Sequence, residues 1–97
     1  MRMMMRVYIP VEAGNVAIKN GSLAQTFQQF MDTAKPEAAY FVADGGERTA
    51  YFFFDLKQAS DIPVIAEPFF ANLQAAIDVT PAMNIEDVRA GLASLKT

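Results

Sequence analysis

The sequence predicts a single α+β domain with four antiparallel strands in the order 4-1-3-2, helices on one face of the sheet and an additional C-terminal helix. Three observations predict this fold class. The 97-residue chain is too short to enclose two hydrophobic cores. Segments with strand character and segments with helical periodicity alternate as β-α-β-β-α-β. Right-handed crossovers then place the helices on one face, which is the ferredoxin-like arrangement.

The composition excludes several classes of function. The chain contains no Cys, His or Trp, which excludes thiolate or imidazole metal sites, Ser-His or Cys-His nucleophiles and His-ligated haem. The formal net charge of −3 argues against nucleic acid and anionic membrane surfaces as partners, because both favour clustered Lys and Arg. Asp55, Asp61, Glu67 and Asp78 lack the spacing of metal ligands. We therefore expect neither a metal nor a cofactor.

The N-terminal methionines do not predict a targeting segment. Arg6 interrupts them, whereas a signal peptide needs about 7–15 consecutive apolar residues. No stretch approaches the roughly 18 apolar residues that span a membrane. We therefore expect a cytoplasmic protein.

The first part of the chain predicts a strand, an ambiguous segment and a helix. Residues 3–9 are apolar and rich in strand formers. Residues 11–20 fit one or two helical turns. A clearer helix begins at Ser22, with Gln25 in the spacing of a capping box, and Pro36 ends it. Its apolar stripe consists of Leu23, Phe27, Phe30, Met31 and Ala34.

The centre of the chain predicts a β-hairpin. Residues 38–43 and 48–56 have strand character and flank the sequence Asp-Gly-Gly-Glu at residues 44–47. Asp-Gly and Gly-Gly are strong hairpin signals because Gly adopts the positive φ that tight turns need. A loop with an even number of residues keeps the side-chain alternation of the two strands in phase, and a three-residue loop would reverse it.

The last part of the chain predicts a helix, a strand and a final helix. Ser60 or Asp61 caps the first of these helices, and Pro68 is expected to kink or end it. Residues 73–79 alternate between apolar and polar side chains, which predicts a half-buried strand. Asn84 caps the final helix. Its apolar face consists of Ile85, Val88, Leu92 and Leu95.

Side-chain alternation along the strands assigns residues to two faces of the sheet. The helix-covered face is predicted to hold Met5, Val7, Ile9, Ala39, Phe41, Ala50, Phe52, Phe54, Leu56, Leu73, Ala75, Ile77 and Val79. The opposite face, here called the open face, is predicted to hold Arg6, Tyr8, Ala38, Tyr40, Val42, Thr49, Tyr51, Phe53, Asp55, Gln74, Ala76, Asp78 and Thr80. A contiguous aromatic surface of this kind marks an interface or a ligand site. We expect a second copy or the C-terminal helix to cover it.

The element order and the semi-polar open face resemble the dimeric α+β barrel superfamily, and residues 55–70 and 81–87 resemble a recurring feature of short bacterial proteins of this type. The resemblance implies that two ferredoxin-like chains pack sheet to sheet, with small ligands bound between the sheets and their coverings. The superfamily includes haem-degrading oxygenases, muconolactone-type isomerases, cofactor-independent quinol monooxygenases and effector-binding domains of transcription regulators. This chain lacks the His and Trp that several of these proteins use, so no catalytic residue is transferred from them.

Arg6, Asp55 and Asp78 are the candidate catalytic residues. The first strand lies between the third and fourth strands, so Arg6 is expected beside Phe53 and Ala76, with each aspartate one diagonal step away. In a functional interpretation, Arg6 orients an anionic or carbonyl group and an aspartate with a raised pKa accepts a proton. The alternative, which we favour because ion-pair networks are often structural, is a salt bridge at the rim of a dimer interface.

Tyr8, Tyr40, Tyr51, Phe53 and Arg6 are the candidate ligand-binding residues. Tyrosine rings stack on ligands and their hydroxyl groups orient them, but tyrosine is also enriched in dimer interfaces. Three functions remain open. The first is a homodimeric module that binds a small aromatic or lipophilic molecule at the open face. The second is a cofactor-independent monooxygenase or isomerase for a small cyclic substrate. The third is a purely structural dimeric interaction domain.

Overall fold

The computed structural model describes residues 1–96, and within them strands and helices follow the predicted order. The elements are β1 (Arg2–Ile9), α1 (Val11–Asn20), α2 (Ser22–Ala34), β2 (Ala38–Asp44), β3 (Glu47–Asp55), α3 (Asp61–Leu73), β4 (Ala76–Pro81) and α4 (Ile85–Ala93). The sheet order is β2-β3-β1-β4, and each neighbouring pair is antiparallel. The predicted ferredoxin-like α+β fold and strand order are confirmed.

The central strand β1 shows why one face of the sheet carries the core. Its residues alternate strictly between buried and half-buried, and the Met5 and Val7 side chains are completely buried. A strand with a period of two can bury one of its faces entirely while the other stays accessible. The core therefore lies between this face and the helices, as the alternation predicted.

Phenylalanine rings from three elements form the centre of the core. Phe52 of β3 is fully buried, and its ring centroid lies 4.5 Å from that of Phe30 and 5.9 Å from that of Phe27, both in α2. Phe69 of α3 contacts the same cluster, with its centroid 5.6 Å from that of Phe30. These tilted arrangements are favourable for aromatic pairs and add to the free energy gained by burial.

A single glycine joins the first two helices. Gly21 has a left-handed backbone (φ 81°), and its N–H donates to the Ile18 carbonyl, which ends α1. Gly21 also occupies the N-cap position of α2, where no side chain provides a cap. The ambiguous segment 11–20 is thus a full helix, and the predicted capping box of Ser22 and Gln25 is wrong because Ser22 is already the first residue of the helix.

At the end of α3, the helix does not end at Pro68, and the prediction that a strand begins at Leu73 is wrong. The helix continues past Pro68 and includes Leu73, which was predicted to begin a strand. Phe69 and Leu73 are both fully buried, and their packing outweighs the backbone hydrogen bond that Pro68 removes. Gln74 then adopts a left-handed conformation (φ 54°), and β4 begins at Ala76.

The β2–β3 hairpin has the predicted even-numbered loop. Gly45 and Gly46 both have positive φ (61° and 81°), and Asp44 pairs with Glu47 across this two-residue turn. Mirror-image turns of this kind match the twist of the strands they connect. The turn fixes the register of the hairpin.

Phe41 departs from its predicted core position. Its side chain lies on the helix side of β2 and contacts the Phe27 ring edge to face, at 5.3 Å between centroids. It is nevertheless 60% exposed, because β2 is an edge strand that the helices cover incompletely. Four other predicted core residues are partly buried and pack against the core: Ala39, Leu56, Ile77 and Val79.

The C-terminal helix α4 lies apart from the core. Asn84 caps it as predicted, through a reciprocal capping box with Asp87. Within residues 1–96, however, no residue of α4 is buried, so α4 does not cover the open face of its own chain. No helix within residues 1–96, α4 included, is long and apolar enough to cross a membrane.

Candidate functional site

The open face consists of rows of side chains, with one residue from each strand in every row. The central row is Tyr40 on β2, Tyr51 on β3, Arg6 on β1 and Asp78 on β4, each directly paired with its neighbour. The flanking rows are Val42, Thr49, Tyr8 and Ala76 on one side, and Ala38, Phe53, Met4 and Thr80 on the other. The candidate ligand-binding residues therefore share one continuous surface, and Met4 joins them.

The central row is connected by polar contacts. Arg6 Nη2 donates to Asp78 Oδ2 at 3.2 Å, and the Arg6 guanidinium carbon lies 5.4 Å from the centroid of the Tyr8 ring, a cation–π distance. The Tyr51 hydroxyl donates to Asp44 Oδ2 at 2.9 Å. These contacts hold Arg6 and Tyr51 in defined orientations between Asp44 and Asp78.

The surroundings of Arg6 and Tyr51 shift their proton affinities. The hydrogen bond to Asp44 raises the pKa of Tyr51 above its ordinary 10.0, and partial desolvation adds to this effect. The Tyr51 side chain and the Asp78 carboxylate raise the pKa of Arg6, so the guanidinium remains charged. Arg6 Nε is buried and has no hydrogen-bond partner within residues 1–96. The row thus presents a permanent cation that is already balanced by Asp78.

The observed register of Arg6 differs from the predicted one. Arg6 faces Tyr51 and Asp78, not Phe53 and Ala76. Each difference is a shift of two residues, which keeps every side chain on its predicted face. Asp78 is therefore a direct neighbour of Arg6 and not a diagonal one.

Asp55 does not join Arg6 and Asp78 as predicted. It pairs with Arg2 near the start of β1, and it contacts the amino group of Met1 at 2.7 Å and Lys57 Nζ at 3.1 Å. These two cations lower the pKa of Asp55 below its ordinary 3.8, the hydrogen bond from the Met1 amine having the largest effect. A general base working near neutral pH needs a shift in the opposite direction.

The open face remains partly accessible in the single chain, and of the residues in its three rows only Thr49 is buried. Tyr40 is 62% exposed, whereas Tyr8, Tyr51 and Phe53 are half-buried among their neighbours. The Asp78 side chain is 57% exposed. Helices α1 to α3 pack on the opposite face, so the aromatic surface has no cover within residues 1–96.

An apolar cavity on the helix side was not predicted from the sequence. It has a volume of about 430 Å³ and lies between α1, α2 and the hairpin, within the usual range of ligand sites. Residues that line it include Ile9, Ile18, Leu23, Phe27, Phe41 and Arg48. Predicting this cavity would have required recognising residues 11–20 as a complete helix, which the sequence left ambiguous.

Arg48 is the cation at this cavity, and it is anchored to α1. Its Nη2 donates to Asn15 Oδ1 at 3.0 Å and its Nη1 to the Val11 carbonyl at 3.4 Å. Gly14 permits this approach, because a side chain there would collide with the guanidinium.

No metal centre is found among residues 1–96, which contain no group of three or more acidic side chains placed to hold a metal ion.

The raised pKa of Tyr51 gives a direct test of the polar row. In a Tyr8→Phe/Tyr40→Phe background, the remaining phenol is expected to ionise above pH 10.0, as followed by absorbance at high pH. Adding Asp44→Ala should lower this pKa towards 10.0, because the neutral hydroxyl loses its acceptor. Because the folded pKa exceeds the unfolded one, the associated stability is present below pH 10.0 and disappears as the pH rises through the folded pKa.

The control for this titration is Asp61→Ala, which removes an aspartate far from Tyr51, at the start of α3. It should leave the Tyr51 pKa unchanged, with circular dichroism confirming that the chain stays folded at each pH. An equal response to both aspartate substitutions would contradict the hydrogen bond.

Comparison with known proteins supports the fold class. The four-stranded antiparallel sheet with helices on one face defines a ferredoxin-like α+β protein. Among solved structures, the chain is similar to a formyltetrahydrofolate deformylase from Pseudomonas putida KT2440, with a TM-score of 0.55 and 13% sequence identity. The match covers 84% of this chain and 29% of the deformylase, so this chain spans less than a third of that protein. At this identity the likeness shows the fold alone.

No family model matches the chain. No curated protein matches it either.

Proposed function

We propose that this chain is a cytoplasmic, homodimeric binding module in which two open faces pack together, in the manner of a dimeric α+β barrel, around a small aromatic or lipophilic molecule. The observation that carries the proposal is the uncovered row of Tyr40, Tyr51, Arg6 and Asp78, flanked by Tyr8 and Phe53 on the same face. Burying a large apolar side chain contributes about 1.5–3 kcal/mol. A face with several such side chains therefore favours a covering partner.

The chemistry of the row indicates the class of ligand. Asp78 already balances the charge of Arg6, so the face offers little net attraction for a strong anion. The tyrosine rings provide stacking surfaces, and the Tyr51 hydroxyl is held by Asp44. An uncharged or weakly anionic aromatic molecule fits this surface best.

The catalytic alternative has less support. A cofactor-independent monooxygenase or isomerase would need an aspartate with a raised pKa in a dry cavity. Asp55 has a lowered pKa, and the Asp78 side chain is 57% exposed and paired with Arg6. Binding without catalysis is therefore the function we propose.

The dimer is tested by light scattering and sedimentation of the wild-type chain and two matched variants. Tyr40 and Val64 are both 62% exposed in the single chain, but Val64 lies on α3, away from the open face. The wild type should have twice the mass of one chain at micromolar concentration. Tyr40→Glu should weaken the dimer at least tenfold, because it places a charge in the interface, and Val64→Glu should leave it intact.

A wild-type chain that stays monomeric at 100 μM (about 10⁻⁴ M, a Kd too weak for a stable dimer) would overturn this part of the proposal. An equal effect of the two glutamate substitutions would place the interface elsewhere.

The ligand site is tested by tyrosine fluorescence. The chain has no Trp and three Tyr, and all three lie on the open face, so the emission reports on this face. Titration with 2-naphthol, an uncharged aromatic probe, should quench the emission saturably. Phe53→Ala on the open face should weaken binding about tenfold, a loss of about 1.4 kcal/mol.

The matched control, Phe41→Ala, tests the apolar cavity on the helix side, which is a second candidate location for the same class of ligand. Its volume of about 430 Å³ and its apolar lining favour it. Binding that depends on Phe41 and not on Phe53 would move the ligand to this cavity. An absence of saturable binding in an intact dimer would favour a purely structural interaction domain.

A further inference from the structure

We propose that helix α4 is exchanged between the two copies, so that the α4 helix of each chain packs at the edge of its partner's open face and closes the space between the sheets. This inference rests on the dimer proposed above. It adds a partner segment to the ligand site, since residues from the second chain would line one side of it.

The first observation is that α4 is a well-formed helix none of whose residues is buried within residues 1–96. Asp87 N–H donates to Asn84 Oδ1 at 2.8 Å, and the Asn84 N–H donates to Asp87 Oδ2 at 3.0 Å. The helix has nine residues, whereas isolated helices shorter than about 12–15 residues are marginal in water. Capping alone does not stabilise so short a helix, so α4 needs a packing surface.

The second observation is that α4 carries an exposed apolar stripe. Ile85 and Leu92 are 60% and 61% exposed, and Leu95, two residues beyond the end of α4, is 63% exposed; Val88, on the same side of the helix, is half-buried. The polar side of the helix is satisfied separately, with Arg89 Nη1 donating to Glu86 Oε1 at 2.9 Å. A helix with one apolar side and one solvated side is typical of a helix that packs on another surface.

The third observation fixes where α4 begins. Arg2 has the same side-chain phase along β1 as Arg6, so it belongs to the open side of the sheet. Its Nη1 donates to Asp87 Oδ2 at 3.3 Å, and its carbonyl accepts from the Ala82 N–H at 3.0 Å. These contacts hold the first turn of α4 beside the Arg2 end of the open face. The chain as a whole, α4 included, is elongated, with principal dimensions of 56, 28 and 18 Å.

The area of the interface favours a second copy as the occupant. Four strands with about six paired residues each give a flat sheet area of about 400 Å². A stable interface buries about 800 Å² on each partner. An exchanged α4 is about 13.5 Å long and 10 Å wide. Exchange adds contact area to each chain twice, once where its own α4 packs on the partner and once where the partner's α4 packs on it. A two-fold axis makes both contacts equivalent.

The test uses disulfide crosslinking, for which the absence of natural Cys is an advantage. One chain carries Leu92→Cys on α4, and a differently tagged chain carries Ala76→Cys on the open face. After mixing and oxidation, we expect a crosslinked heterodimer. The matched control, Ala71→Cys, places the acceptor on the exposed surface of α3 and should give at least tenfold less product.

Two further variants separate this inference from the dimer itself. Leu92→Ser/Leu95→Ser should weaken the dimer about tenfold or more, whereas Ala90→Ser should not. A chain with both Leu92→Cys and Ala76→Cys that closes within itself would show that α4 covers its own sheet, and would overturn the exchange. A dimer that passes the Tyr40→Glu test but neither crosslinks nor responds to the serine pair would also overturn it. A monomeric wild type would instead overturn the proposed function.

Discussion

Phe52→Ala is expected to destabilise the fold by about 3–5 kcal/mol, the usual effect of removing a buried aromatic ring. Phe52 is fully buried in β3. Its ring lies within 4.5–6.4 Å, between centroids, of the rings of Phe27, Phe30, Phe41 and Phe69. The substitution would leave a cavity at the place where α2 and α3 both meet the sheet. For a domain of this size each kcal/mol lowers Tm by about 4–8 °C, so we expect a decrease of more than about 12 °C.

The matched control for this substitution is Phe70→Ala. Phe70 follows Phe69 on α3 but is 42% exposed, so its removal should change the free energy of unfolding by less than about 1 kcal/mol. Urea denaturation followed by circular dichroism measures both variants at one fixed protein concentration, because dimerisation would add to the apparent stability. Equal losses in the two variants would contradict a core centred on Phe52.

The faces of the sheet could be predicted from the sequence, but the register of β1 against β3 and β4 could not. Burial of one face forces the apolar residues of β1 into alternate positions, and Met5, Val7 and Ile9 show this pattern directly. A shift of two residues leaves that pattern unchanged. Arg6 was therefore assigned to the correct face but to the wrong neighbours.

The ends of α3 and β4 depended on packing that local rules do not contain. Pro68 removes a helical hydrogen bond, and this favours a helix end. Burial of Phe69 and Leu73 on the same side of α3 stabilises the helix by more than the loss of the Pro68 backbone hydrogen bond destabilises it. The apolar–polar alternation that begins at Leu73 was consequently mistaken for the start of the strand.

The candidate site was predictable to the extent that alternation determines it. Tyr8, Tyr40 and Tyr51 lie on one face because their positions have the same phase in the paired strands. The hydrogen bond between Tyr51 and Asp44 and the ion pair of Asp55 with the Met1 amine depend on side-chain reach in three dimensions. A linear pattern does not encode such reach.

The second large effect is expected from Gly45→Val/Gly46→Val in the hairpin turn. Both residues have left-handed backbones, with φ of 61° and 81°, and this conformation costs an L-residue with a side chain about 1–2 kcal/mol. We expect a loss of about 2–4 kcal/mol in the free energy of unfolding. A Cβ at either position would have open space around it, so the loss would come from the backbone and not from a collision.

Gly91→Val provides the matched control, because Gly91 also has open space for a Cβ but lies in helix α4. This substitution should leave stability within about 0.5 kcal/mol of the wild type.

The turn also fixes the pairing of Tyr40 with Tyr51 and places Asp44 near the Tyr51 hydroxyl. The double valine variant should therefore also lower the pKa of Tyr51 towards 10.0. A loss of stability without this change in pKa would show that the turn does not determine the hydrogen bond between Asp44 and Tyr51. Equal stabilities of the turn variant and Gly91→Val would contradict the left-handed conformation of the turn.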